Sequence, residues 1–379
     1  LSTTNIDRME VFRTLAKEDE YGVAAEEIRR IVHLVDTWNQ SLDDACRRRA
    51  QEVPSDAMAD FFDRLGYTMG AGQSLEEFLV SEQDVMLAKY ETRYESALSN
   101  LEVMKDLYMS MILSMTFALV FAVVLPILTG NDPTATVAAV IVLFVFVQLG
   151  FYAMIRATSP YDPIWYHPDG RSPGDLRLWA SLIGGGGFSL VLIGITAAGM
   201  FGYGPGLPGL LFFVGDVQLP LYVAVPVSPL AVTGIVLRNE EQAITARDAE
   251  FPSFVRALGA TESAKQSTTT DVLTTLRDKN FGELSDAIDR LYRRLNMRIS
   301  TEGAWDEFTR DTRSYLIQKF SEMYLVGRRM GGDPKMLGEL ISTNMSTVNQ
   351  LREQRRQAAT TFIGLLYGIT AAATFAFFI

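Results

Sequence analysis

The sequence has little of what enzymes and metal sites are built from. Its 379 residues include one cysteine, Cys46, so no internal disulfide can form and no cysteine-based metal site exists. Two histidines, His33 and His167, are too few for a His-Glu-x-x-His helix or a zinc set. No Gly-x-x-x-x-Gly-Lys-Ser/Thr run occurs, so the chain has no phosphate loop with which to hydrolyse ATP. The glycines of 202–209 follow no strand and read as a turn rather than a dinucleotide fingerprint. With no nucleophile–base signature either, no catalytic residue, cofactor or metal is expected. Lysine is scarce as well, seven of 34 basic residues, against 45 acidic ones. A net charge of −11 argues against nucleic acid as a partner. An acidic, arginine-rich, lysine-poor chain fits a salt-loving organism.

Charge is missing altogether from five stretches: 107–128, 134–155, 178–200, 219–237 and 358–379. About 20 apolar residues cross a hydrocarbon core of ~30 Å, so these read as transmembrane helices. Gly184–Gly187 in the third permits close backbone approach between helices, and Pro220, Pro226 and Pro229 predict kinks in the fourth. Asp216 beside the fourth reads as part of an interfacial loop. A secondary transporter would show ionisable residues within its spans; the first, second, third and fifth have none. The 129–133 and 201–218 loops carry no lysine or arginine, whereas the 156–177 loop carries Arg156, Arg171 and Arg177, and Arg352, Arg355 and Arg356 flank the fifth span. This asymmetry places the soluble segments in the cytoplasm. The chain is thus expected to be an all-α, multi-pass helical protein of the cell membrane, in contact with lipid. Its expected organisation is a first cytoplasmic helical domain over 1–106, four spans over 107–237, a second cytoplasmic domain over 238–357, and a fifth span over 358–379. Leu1 is not a start methionine, so the sequence reads as beginning inside a longer protein, with further spans expected past Ile379.

What is present is a repeat. Phe320–Leu340 reads FSEMYLVGRRMGGDPKMLGEL, and Phe61–Leu79 reads FFDRLGYTMGAGQSLEEFL. In each, apolar residues recur at helical steps: Leu316, Phe320, Met323, Tyr324 and Met330 in one, Met58, Phe61, Phe62, Leu65 and Met69 in the other. Glycines then end the helix, Gly331 and Gly332 in one copy and Gly70 and Gly72 in the other. A cap restarts it: Asp333 with Pro334 at the first helical position, or Ser74 with Glu77 as a capping box. Two helical hairpins of one design, about 260 residues apart, make the soluble segments homologous helical bundles with structural hinges at these turns. Further stripes are Ala24, Ile28, Ile31, Val32 and Val35; Leu87, Tyr90, Tyr94, Leu98 and Leu101; and Leu284, Ile288, Leu291 and Leu295.

Two cytoplasmic helical domains, each feeding a long helix into a span, resemble the platform (F-domain) proteins of type II secretion and type IV pilus machines. The run Arg247-Asp248-x-x-Phe251-Pro252-x-Phe254, followed by Arg256-Ala257-Leu258-Gly259, resembles the archaeal branch. Ser263–Leu276, Arg313–Gly332 and Thr360–Phe378 resemble the platform family of the archaellum, the archaeal flagellum. The resemblance implies a membrane platform that engages a cytoplasmic hexameric secretion-type ATPase. It would pass ATP-driven motion to archaellin (prepilin-like) filament subunits alongside other motor components, for assembly, with rotation as a further expectation. It also implies a homodimer or higher homo-oligomer. The platform of an archaeal adhesion pilus or secretion system is the alternative. Since the motor must be supplied in trans, the densest basic clusters of the second domain, Tyr292, Arg293 and Arg294 with Arg328, Arg329 and Lys335, are the expected docking residues.

Overall fold

The structure is a computed structural model that describes residues 8–18, 21–132, 134–160, 162–166, 173–200, 221–265, 269–297 and 299–378. The segments expected to hold Arg171, His167, Gly202–Gly209, Asp216 and Pro220 lie outside these residues. Thirteen α-helices are described. They are α1 (Arg8–Leu15), α2 (Val23–Trp38), α3 (Leu42–Glu52), α4 (Asp56–Gly70), α5 (Leu75–Thr129), α6 (Thr134–Thr158), α7 (Pro173–Met200), α8 (Leu221–Lys265), α9 (Thr269–Leu276), α10 (Ser285–Asn296), α11 (Thr301–Thr312), α12 (Tyr315–Arg329) and α13 (Pro334–Phe378). A 3-10 turn, Gly282–Leu284, leads into α10. The protein is all-α and polytopic. Among the described residues the β pairing is an isolated antiparallel bridge between Trp165 and Ser314.

The repeat is visible in the helix starts. Leu42 and Thr301, Asp56 and Tyr315, and Leu75 and Pro334 open matching helices, each pair 259 residues apart. Their caps match too. Ser41 Oγ accepts from the Asp44 amide at 3.3 Å, and Ser300 Oγ from the Gly303 amide at 3.2 Å. Each satisfies one of the four amide donors that a helix start leaves open.

The contacts divide the chain into two compact units. The first comprises 1–162, 330–332 and 344–379; the second comprises 163–329 and 333–343. In the first, Ala25, Ile31, Ala45, Cys46, Phe62 and Leu65 are almost fully buried. Of the stripe expected on α2, Ile31 is deepest, while Ala24, Ile28, Val32 and Val35 are only half-buried. Burial pushes the Cys46 thiol up to about 12, so it packs as a small apolar group. In the second unit the core is aromatic: Phe251, Phe254, Trp305, Phe308 and Tyr324 are each no more than 1 % exposed. Phe254 meets Phe281 edge-on at 5.6 Å, and Trp305 meets Phe308 edge-on at 5.4 Å, geometries in which ring quadrupoles attract. Leu284, Ile288, Leu291 and Leu295 of the α10 stripe are all buried. On α12 the buried face takes in Ile317 and Ser321, while Met323 is 41 % exposed. Steps of about 100° per residue put Met323 on the flank of the face that centres on Tyr324.

Among the described residues three helices are long and apolar enough to cross a membrane: the apolar part of α5 (within Glu77–Thr129), α6, and Leu178–Gly199 of α7. The apolar beginning of α8 and end of α13, where the fourth and fifth spans are expected, are helical. The boundaries drawn at 106, 237 and 357 fall inside α5, α8 and α13, which run 55, 45 and 45 residues without a break. At 1.5 Å per residue, α5 alone is ~80 Å long. Between α7 and α8, Gly185 is the close contact. A Cβ there would lie 2.4 Å from Thr233 Oγ1 and 3.0 Å from the Pro229 carbonyl. Thr233 donates to the Ser181 carbonyl at 2.8 Å and Ser189 to the Pro226 carbonyl at 2.7 Å. Pro229 deprives the Val225 carbonyl of its helical donor, and Ser228 Oγ supplies one at 2.8 Å.

Candidate partner-docking surface

The two hairpins that organise the sequence form as expected, with the conformational demand on one glycine in each. Gly331 has φ +79° and Gly72 has φ +88°, the left-handed region that favours glycine. Gly70 is instead the last residue of α4, against Asp43 and Arg47 of α3. Gly332 lies between the turn and the cap and is buried. Asp333 Oδ1 then accepts from the Met336 amide at 2.8 Å, and Ser74 Oγ from the Glu77 amide at 3.1 Å. Pro334 opens α13. Its carbonyl lies where a Cβ on Gly259 would come to 2.1 Å, and a Cβ on Gly338 would meet the Val255 carbonyl at 2.7 Å. The first turn of α13 therefore seats directly on the backbone of α8.

The six residues expected to dock a partner fall into two sets, and the four arginines among them are paired with carboxylates. On α10, Arg294 donates to Asp311 at 2.7 Å and is largely buried, while Arg293, 68 % exposed, pairs with Asp289 one turn back. Arg290 reaches Asp311 at 2.8 Å. Tyr292 lies under the Arg277 guanidinium, 4.9 Å from its ring centre, a cation–π contact. Hydrogen bonding from Arg293 holds the Asp289 carboxyl below the usual aspartate range, against a smaller opposing effect of burial. On α12, Arg328 pairs at 3.1 Å with Glu262 of α8, and Arg329 at 2.8 Å with Glu302 of α11. Lys335, at the start of α13, is exposed.

Glu262 is the centre of a network that periodicity does not reveal. It is 2 % exposed and accepts from Tyr324 Oη at 2.8 Å and from Thr269 Oγ1 at 2.5 Å, besides Arg328. Burial and the adjacent carboxylate push the Tyr324 phenol up, so it stays a donor. Arg328 thus fixes α12 to α8, and Arg293, Arg329 and Lys335 are the cations that face outward. A second unforeseen joint lies in the second unit. The Tyr166 amide donates to the Arg313 carbonyl at 2.9 Å and the Tyr315 amide to the Ile164 carbonyl at 3.1 Å. Arg313 takes φ +57°, stacks 5.4 Å above Trp165, and pairs with Glu240 at 3.4 Å. Ser314 Oγ donates to the buried Asp248 of the quoted Arg-Asp run. In the first unit, Asp162 receives Arg352 Nε at 3.0 Å on both carboxylate oxygens and Tyr94 Oη at 3.4 Å. Thr269 apart, these partners lie 62 to 190 residues from one another; the sequence signal is a charged residue within an otherwise apolar face, as at Asp248 and Glu262.

Among the described residues no three His, Cys, Asp or Glu side chains gather as metal ligands would. The family described as type II secretion system (T2SS), protein F, matches residues 1–124. Flagella accessory protein J of Methanocaldococcus jannaschii is 34 % identical over 387 residues, covering 100 % of this chain and 66 % of that protein. Flagella accessory protein J of Methanococcus voltae is 34 % identical over 371 residues, covering 98 % of this chain and 65 % of that protein. The chain therefore spans just under two thirds of the length of these relatives. No solved structure matches it. Repeated capped hairpins, long helices feeding apolar spans and these alignments converge: residues 1–124 match the protein F family of type II secretion systems, and the chain as a whole is a relative of Flagella accessory protein J.

Proposed function

We propose that the protein is the inner platform of an archaellum machine, multi-pass in the cell membrane with both helical domains in the cytoplasm. It couples a hexameric secretion-type ATPase to assembly of a pilus-like filament, and to its rotation. The observation that carries this reading is mechanical. Each helical domain ends, past its capped hairpin, in a helix that continues unbroken into an apolar segment, α5 in one and α13 in the other. A displacement of the hairpin is carried along such a rod rather than absorbed in a linker. The beginning of α8 and the end of α13 serve as the fourth and fifth spans. Hydrolysis belongs to the partner, and this chain has no catalytic role. Filament subunits, other motor components and further copies of the chain are its remaining contacts.

The docking face is the outward part of the predicted set, Tyr292, Arg293, Arg329 and Lys335, with Arg294 and Arg328 positioning it through Asp311 and Glu262. Guanidinium forks suit an acidic partner surface. One exposed pair is worth about 0–1 kcal/mol, so the test reverses three charges together. Arg293→Glu, Arg329→Glu and Lys335→Glu, combined in the full chain with helical content verified, are expected to abolish co-purification of the ATPase and motility. Unchanged capture and motility would place docking elsewhere. Deleting the chain distinguishes the alternative platform: loss of archaella supports this reading, and loss of adhesion pili alone supports the other.

A further inference from the structure

The first helical domain carries a cleft that the platform role leaves unused. It opens between α2 and α3 with a volume of about 430 Å³, and Arg29, Arg30, Arg48, Arg49 and His33 line it against only two carboxylates, Glu26 and Glu52. Arg49 is set rigidly: its side chain is 8 % exposed, its Nε reaches Glu27 at 3.1 Å, and its Nη1 is held by Glu52. Arg29 is set by the Ala16 carbonyl, which accepts from Nε at 3.2 Å and from Nη2 at 3.1 Å, and by Glu26, which accepts from Nη1 at 2.7 Å. Arg30 and Arg48 are half exposed; Arg30 reaches the buried Glu27 at 3.0 Å and Glu26 at 3.6 Å, and Arg48 reaches Glu52 at 3.6 Å. The pairs with Glu26 and Glu52 are solvent-exposed and weak, so these two carboxylates yield to a better ligand.

The second domain shows that the fold does not require this arrangement. Burial sets Ala45, Cys46 and Arg49 of α3 on Ala304, Trp305 and Phe308 of α11. The second domain thus has a phenylalanine where the first buries a guanidinium, and a buried ion pair is commonly no more stabilising than the apolar residues that replace it. Arg48 corresponds to Glu307 and Glu52 to Asp311. In the second domain Asp289, Glu307 and Asp311 answer Arg277, Arg290, Arg293, Arg294 and Arg310. In the first, Glu26, Glu27 and Glu52 face four arginines and an imidazole. The excess is positive in a chain of net charge −11.

We propose that this cleft binds a compact, multiply charged oxyanion of the phosphate class. Four guanidiniums line this one small volume, and the half-exposed forks of Arg30 and Arg48 suit the oxygens of such an anion bidentately. An extended acidic peptide would need a longer groove.

The test is calorimetric titration of the full chain in detergent with inorganic pyrophosphate. Saturable binding is expected, weakened about tenfold for each guanidinium removed in Arg30→Gln and Arg48→Gln. Both side chains are half exposed, so the variants are expected to fold, and circular dichroism checks that they do. Arg293→Gln with Arg329→Gln in the second domain is expected to leave the affinity unchanged. Competition by dihexanoylphosphatidylglycerol assigns the natural source to a lipid headgroup; its failure to compete assigns a free phosphate ligand, and the shared chemistry stands either way. Absence of saturable pyrophosphate binding, equal affinity in the cleft variants, or binding of hexaglutamate alone would overturn the proposal. None of these outcomes depends on whether the ATPase docks on the second domain.

Discussion

The two helical domains share caps and hairpins and differ in what fills them. Matching helices open 259 residues apart, serine caps sit at Ser41 and Ser300, and glycines with φ +88° and +79° turn the two hairpins. Inside, the second domain stacks Phe251, Phe254, Trp305 and Phe308, whereas at the positions of Trp305 and Phe308 the first has Cys46 and Arg49. The difference teaches that the backbone plan resides in the caps and turns, and that the core is free to be aromatic or ionic around it. Large rings bury the most area per residue, so at these positions the second domain gains apolar burial where the first sets one ion pair among its apolar residues.

The comparison breaks most sharply if the two core positions are exchanged. Phe308→Arg puts a guanidinium among aromatic rings with no carboxylate, and is expected to unfold the second domain. The milder Phe308→Ala is expected to cost about 3–5 kcal/mol. Near-ultraviolet circular dichroism and thermal denaturation of the full chain check both. In the first domain, Arg49→Met leaves the buried Glu27 with the half-exposed Arg30 in place of its buried partner and is expected to cost up to about 3–5 kcal/mol. Adding Glu27→Leu is expected to restore most of it, because the pair as a whole stabilises little more than apolar residues would. A double variant no more stable than the single one would show that the pair has a structural role of its own.

Smaller effects probe what the domains share. Gly72→Ala and Gly331→Ala each force a side chain into the left-handed region and are expected to cost about 1–2 kcal/mol. Ser74→Ala and Asp333→Ala each remove a cap and are expected to cost about 1 kcal/mol. The expectation is equality within each pair, measured as shifts in thermal midpoint; a clear inequality would mean that the hairpins are not equivalent. Smallest is an acid effect at Asp289. Its folded carboxyl is held below the ordinary aspartate range by Arg293, so its contribution is present above the unfolded value and is lost as pH falls through the folded one. Arg293→Gln is expected to reduce that acid-side loss slightly in a pH series of melting curves.

Much of this was legible in the residues. Glycine and cap chemistry at 70–74 and 331–334 gave the hairpins, because a helix end must satisfy its own backbone groups locally. The stripe Leu284, Ile288, Leu291 and Leu295 gave a buried face, since every fourth residue meets the same neighbour. Met323 misled because a stripe has edges, and which edge is covered depends on a helix elsewhere in the chain. The anchoring roles of Arg294 and Arg328 were invisible for a related reason. A run of arginines reads as an outward surface until Asp311 and Glu262 arrive from other helices. Asp162 with Arg352, 190 residues apart, leaves no local pattern at all.

The account rests on both helical domains facing one side of the membrane, opposite the turn between α5 and α6. Cys46 is the sole cysteine, so a Cys46→Ala background accepts single probes at Gln73, Asn131 and Lys335, all exposed. Labelling intact cells with a membrane-impermeant maleimide tests the arrangement directly. Asn131→Cys is expected to be labelled from outside, while Gln73→Cys and Lys335→Cys react only after the membrane is opened. Labelling of Gln73→Cys or Lys335→Cys in intact cells would contradict this arrangement.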